Sequence, residues 1–143
     1  MTNVAHVIQK KQNSSIYTIA PDASITEAVT LMANKDIGAL VVTEGNHVVG
    51  ILSERDCARK IIMRDLSADS TQVCELMTLA VISVRLNNTV EECLKLMTDR
   101  HLRHLPVLEN DLLVGLVAIG DLVKATIEDQ HDLIQQLQHY ISH

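Results

Sequence analysis

Apolar residues recur along this chain in two alternating rhythms. Ile25, Ala28, Val29 and Met32 fall at helical spacing, and so do Val90, Cys93, Leu94 and Met97. Each stripe follows a capping box, Ser24-x-x-Glu27 and Thr89-x-x-Glu92, in which a hydroxyl and a carboxylate satisfy the first N–H groups of a helix. Each helix is followed by an apolar run (residues 39–42 and 105–108), a polar turn (44–46 and 109–111) and a second apolar run ending near Leu52 or Ala118. That succession predicts two buried strands joined by a turn. A further helix is expected from near Asp56 and from near Asp121, and short β-rich segments, 16–19 and 81–84, open each series.

The two series are copies. Setting Glu27 on Glu92, Met32 on Met97, Leu40 on Leu105, Gly50 on Gly115 and Asp56 on Asp121 keeps one offset of 65 throughout. About ten positions are identical in that ungapped register, and most others stay apolar. The reading is an α+β fold of two tandem β-α-β-β-α units, 16–63 and 80–128. An N-terminal helix and loop (1–15) comes first, and a linker with a short helix (64–79) joins the copies. A short amphipathic piece stands before each copy: Val4, Val7 and Ile8, then Val73, Leu76 and Met77. Residues 129–143 form a separate C-terminal helix with a stripe of Leu133, Ile134, Leu137, Tyr140 and Ile141. That stripe either packs on its own chain or crosses to a second subunit. Gly50 and Gly115 lie inside strands, where glycine marks a close approach of backbone or ligand. Pro106 fits a strand edge or start.

Composition narrows the function. The 143 residues are 47% hydrophobic and 21% charged, an ordinary globular balance for one domain. A net charge of −6 repels a phosphate polymer, and Tyr17 and Tyr140 are the only aromatic residues. A nucleic-acid partner is therefore not expected, since base stacking needs several aromatic faces. No apolar run reaches the roughly 18 residues of a membrane span, and the N-terminus lacks a signal-peptide core. A cytoplasmic location with no membrane partner is the expectation. Cys57, Cys74 and Cys93 form no CxxC pair and read as reduced thiols.

The repeated residues carry a family resemblance. Residues 37–42 and 50–56, with Arg103-His-Leu-Pro-Val107 and Gly115-Leu-Val-Ala-Ile-Gly-Asp121, resemble CBS-domain motifs. Two copies in tandem resemble a CBS pair, or Bateman module, of the small stand-alone bacterial kind. The resemblance implies sheets packed around a pseudo-twofold axis and two clefts between the copies. It also implies an adenosine ligand such as AMP, ADP, ATP, S-adenosylmethionine or a dinucleotide, and a homodimeric disc whose shape a protein partner reads.

It further implies a site. In the family pattern Gly-h-h-Ser/Thr-x-x-Asp, matched by residues 50–56, Asp56 would accept hydrogen bonds from both ribose hydroxyls and Ser53 would bond a phosphate or ribose oxygen. Read without the family, Ser53-x-x-Asp56 is equally an N-cap with an acid in the first turn. In copy two Asp121 remains, but Ala118 stands in the hydroxyl position. Arg103 and His104 occupy the places of Gly38 and Ala39, where the related gamma subunit of the AMP-activated kinase turns basic residues to phosphates. Arg103 reads either as such a ligand or as a surface ion pair with Glu54 or Asp121. Gly38 and Ala39 leave room for a purine or sugar. Ile16 and Tyr17, with Val81 and Ile82 in copy two, would form adenine slots, helped by Ile37 and Leu102, and Pro106 borders the second. Tyr17 is either a base-stacking ring or a core tyrosine. Arg55, with Arg59, Lys60 and Arg64, either steers an anion or lies on a solvated helix face.

Other chemistry is weaker. His101 and His104, and His139 and His143, have helical spacing, but no carboxylate or cysteine completes a metal set, so no metal is expected. No nucleophile–base pair, Walker loop or GxGxxG occurs, so no catalytic residue is expected. Cys57 beside Asp56 reads as a redox-sensitive or, more simply, a buried thiol. The functional expectation is a non-catalytic homodimeric sensor of an adenosine nucleotide, AMP first, signalling to an unidentified protein partner. The alternatives are an NAD(H) sensor and a ligand-free adaptor.

Overall fold

A computed structural model describes residues 2–11, 16–79 and 81–142. The elements run α1 (Val4–Lys10), β1 (Thr18–Ile19), α2 (Ile25–Lys35), β2 (Ala39–Glu44), β3 (His47–Ser53), α3 (Glu54–Met63) and α4 (Val73–Leu76). They continue with α5 (Val90–Arg100), β4 (His104–Glu109), β5 (Leu112–Ala118) and α6 (Ile119–Ser142). Among the described residues, no helix is long and apolar enough to cross a membrane.

The offset of 65 reappears as geometry. Both capping boxes form their hydroxyl caps: Glu27 N–H donates to Ser24 Oγ and Glu92 N–H to Thr89 Oγ1, each at 3.1 Å. Both first helices stop at a left-handed residue, Asp36 (φ 53°) and His101 (φ 56°). Short polar side chains lower the strain of that conformation for Asp36, and in both copies the next N–H returns to the helix. Ile37 N–H reaches Met32 O at 3.0 Å, and Leu102 N–H reaches Met97 O at 2.9 Å. The β2–β3 turn uses Gly45 at φ 62°, and the β4–β5 turn uses Asn110 and Asp111 at φ 51° and 64°.

Strand order is β1-β2-β3 in one sheet and β4-β5 in the other. β1 runs parallel to β2, with Ile19 opposite Val42. Its copy-two counterpart is shorter than the sequence pattern predicts, a single parallel bridge between Val84 and Val107. Val84 N–H donates there to Pro106 O at 3.0 Å, which uses the acceptor that proline retains.

The chain divides into two compact units, one holding residues 16–82 and 110–113, the other 2–11, 83–109 and 114–142 of the described residues. In the first, Ile25, Ala28, Met32, Leu40, Val42, Leu52 and Cys57 pack with Val73 and Leu76 of α4. In the second, the positions 65 residues on (Val90, Cys93, Met97, Leu105, Val107, Val117 and Leu122) are buried likewise, together with Val4 and Val7 of α1.

The amphipathic pieces thus serve crosswise. Although α4 precedes copy two in the chain, it packs in the unit of copy one, while α1 packs in the unit of copy two. The hydrogen bonds are equivalent: Val73 N–H to Ala23 O and Cys74 N–H to Pro21 O in one unit, Val4 N–H to Asn88 O and Ala5 N–H to Leu86 O in the other. The glycines inside the strands explain themselves here. A Cβ on Gly50 would lie 2.6 Å from Met77 Sδ, and one on Gly115 would lie 2.6 Å from Ile8 Cδ1. The close approach is by the short arm itself.

The tail departs from expectation. Instead of a separate helix from residue 129, α6 runs unbroken from Ile119 to Ser142. No glycine or proline stands between Gly120 and the end to stop it.

Candidate nucleotide site

In the copy-one unit, β3 delivers the chain into α3 at Ser53. Ser53 is extended (φ −102°, ψ 151°) and its Oγ accepts the Asp56 N–H at 3.0 Å, an N-cap. Glu54 N–H donates to Gly38 O at 2.9 Å, which holds the loop before β2 beside the helix start. Gly38 is exposed and Ala39 is buried. Asp56 is half-buried in the first turn, and no described residue donates a hydrogen bond or forms an ion pair to its carboxylate. Gly38, Ser53 and Asp56 therefore meet at one helix start, where the Glu54 and Asp56 N–H groups are already bonded and the helix dipole favours an anion.

The neighbouring residues divide by role. Tyr17 and Ile37 pack against the copy-one core. The Lys35 ammonium lies 5.3 Å from the Tyr17 ring centroid, so that ring already carries a cation. Ile16 and Ile82 are half-buried. Lys60 is taken out of the basic cluster, donating to Leu76 O at 2.8 Å and so capping the end of α4. Arg55, Arg59 and Arg64 are exposed. Burial, with Asp56 and Glu54 adding to it, pushes the Cys57 thiol up to about 11, and burial does the same to Cys93. Both are protonated structural thiols at neutral pH.

The copy-two unit has the same frame with different chemistry. Ile119 N–H donates to Arg103 O at 2.9 Å, matching the Glu54–Gly38 bond. Ala118 offers no hydroxyl, and Asp121 reaches back instead, accepting the Ala118 N–H on Oδ2 at 2.9 Å. The same oxygen lies 3.0 Å from Lys11 Nζ. Lys11 also donates to Leu116 O at 2.8 Å. His104 is half-buried, and its pKa is lowered from 6.5 by burial first and by the Lys11 and Arg103 charges, against the pull of Asp121. Arg103, His104, Asp121 and Lys11 thus form one electrostatic group. Arg103 is exposed and makes no ion pair among the described residues, so the proposed pairing with Asp121 is not formed. Leu102 is half-buried, and Pro106 is buried.

Lys11 is the participant that the sequence reading missed. A signal exists: Val4, Val7 and Ile8 match Val73, Leu76 and Met77 at an offset of 69, which places Lys11 at the level of Ala80. Reading it requires knowing that α1 packs with copy two. Among the described residues no group of histidine, cysteine and carboxylate side chains could hold a metal ion, and His143 lies outside those residues.

The chain belongs to the CBS domain family, whose model matches residues 4–63 and 73–128. It is 44% identical to a protein with CBS domains from Burkholderia ambifaria, with a TM-score of 0.86 over 90% of this chain and 96% of that one. It is 35% identical to the mitochondrial CBS domain-containing protein CBSX3 of Arabidopsis thaliana, across 98% of this chain and 72% of that protein. The CBS domain pair of protein MJ0100, solved with 5′-methylthioadenosine and S-adenosyl-L-methionine, shares the fold at a TM-score of 0.79 and 21% identity, over 90% of this chain and 98% of that one.

Proposed function

We propose that this CBS pair is a non-catalytic sensor that binds an adenosine nucleotide, AMP first, at the copy-one motif. The observation that carries this reading is the unpartnered Asp56 carboxylate, half-buried at a capped helix start beside the exposed Gly38. A carboxylate so placed has two acceptor oxygens for a cis-diol, and the helix start beside it suits a phosphate. That MJ0100 holds two adenosine compounds lends support to the ligand class. The bound nucleotide biases the protein toward one conformation by its difference in affinity for the two, and a partner protein reads that bias. In this reading the signalling species is a homodimer.

Calorimetric titration with AMP is the test. Micromolar to sub-millimolar binding is expected. Asp56→Ala should weaken it at least about ten- to hundredfold, the loss expected from one charge-assisted hydrogen bond of about 1.5–3 kcal/mol. Unchanged affinity in that variant would move the site elsewhere, and no binding of AMP, ADP, ATP or NAD at millimolar levels would leave a ligand-free adaptor.

A further inference from the structure

We propose that Lys11 is an internal counter-ion that holds Asp121 away from ligand and closes the copy-two site, so that each chain binds one nucleotide. The inference rests on the reading that the Gly-h-h-Ser/Thr-x-x-Asp carboxylate meets a ribose.

The two copies of that carboxylate stand in opposite states. Asp56 has no partner among the described residues, while Asp121 has two on a single oxygen: the Ala118 N–H at 2.9 Å and Lys11 Nζ at 3.0 Å. A ribose diol that takes one hydroxyl on each carboxylate oxygen would have to compete with both at Oδ2. The pair is shielded, with the Lys11 and Asp121 side chains 30% and 26% exposed, against 70% for Lys10 in its ion pair with Glu128. Screening by solvent is correspondingly less. Lys11 is held from both ends. Its ammonium is fixed by Leu116 O at 2.8 Å. Its backbone follows an arm anchored by Val4 and Val7, with Ile8 seated against Gly115. The loss of the Ser hydroxyl and the gain of the lysine act together. In copy one Ser53 caps the helix and leaves the carboxylate free, whereas in copy two Ala118 cannot, and the carboxylate turns back to the strand end.

Lys11 has a competing role as a phosphate ligand alongside Arg103, and the choice of probe separates the two. Adenosine has the ribose diol but no phosphate. Calorimetry of the full chain with adenosine should give one site, weakened at least about tenfold in Asp56→Ala. In Lys11→Met, which keeps the apolar stem and removes the charge, a second site should appear, with adenosine affinity there raised about tenfold or more. Adding Asp121→Asn should abolish that second site, and Lys11→Arg should keep it closed. Two equivalent sites in the wild-type chain, or a Lys11→Met variant with unaltered adenosine binding, would overturn the proposal, and weakened AMP binding in that variant would make Lys11 a phosphate ligand instead.

Amine labelling tests the ion pair with no ligand at all. Lys11 should react more slowly than Lys10, and Asp121→Asn should speed Lys11 while leaving Lys10 unchanged; a Lys11 rate unaltered by that substitution overturns the counter-ion. Equal rates in the wild-type chain overturn the counter-ion. Slow labelling of Lys11 in a protein that binds no adenosine compound defeats the nucleotide reading instead, and with it any gating of that site.

Discussion

At the scale of single residues, the two copies differ most where charge is concentrated. His104 stands where copy one has Ala39, and its environment opposes protonation: burial first, then Lys11 and Arg103, with Asp121 pulling the other way. An imidazole whose pKa is lowered on folding binds fewer protons in the folded state than in the unfolded one, where it titrates near 6.5. Stability should therefore be full above about pH 7.5 and fall as the pH drops through 6.5 toward the lowered folded value. Urea unfolding at pH 7.5 and 5.5 should show that loss in the wild-type chain and a smaller one in His104→Gln. A pH slope unchanged by the substitution would place the responsible group elsewhere. Residues of this kind were only half legible in the sequence. The motif positions Ser53, Asp56, Arg103 and Asp121 could be found from the repeat, because chemistry and spacing coincide there. The partner of Asp121 could not, since it lies 110 positions away in the chain (121 − 11) and only the folded arm brings it in.

At the scale of elements, the helices and hairpins were readable because local signals agree with one another. Ser24 and Thr89 mark helix starts, apolar spacing marks the faces, and Gly45 or Asn110 allows the positive φ of each turn. The edges were less readable. The opening strand of copy two shrinks to one bridge at Val84, and α6 absorbs the tail because nothing in its sequence breaks the helix. The crosswise packing of the arms was not readable at all, since periodicity shows that α1 and α4 have an apolar face without showing which copy receives it. It carries a direct consequence. Val7→Ala removes buried methyl groups from the unit of copy two, and Leu76→Ala removes them from the unit of copy one. Such truncations destabilise by about 1–4 kcal/mol, the leucine more than the valine. In hydrogen exchange, Val7→Ala should lower protection across α5 more than across α2, and Leu76→Ala should do the reverse. Val7 precedes copy one in the chain, so equal loss in both helices, or loss in α2 alone, would contradict the crossed assignment.

At the scale of the whole molecule, the proposed sensor role requires a surface through which to act, and α6 supplies the best candidate. Ile119, Val123, Ile127, Ile134, Leu137 and Ile141 fall within one stripe of this 24-residue helix and are between 42% and 81% exposed. A helix of that length extends about 36 Å, so the stripe is far larger than the scattered apolar residues of an ordinary surface. A second copy of the same helix is the proposed occupant. Antiparallel pairing about a twofold axis would lay each stripe on its own equivalent, with no charge on the stripe to oppose the contact. Each fully buried side chain would contribute about 1.5–3 kcal/mol, enough in sum to hold a dimer at micromolar concentration after the entropy of association. The wild-type chain should therefore sediment as a dimer. Ile127→Lys combined with Leu137→Lys should shift it to monomer while leaving the circular dichroism spectrum intact, since both side chains are already more than half exposed and do not anchor the core. If the dimer persists, another face joins the subunits and the stripe is left for the partner protein. A wild-type chain that stays monomeric at high micromolar concentration would remove the homodimer from the functional reading.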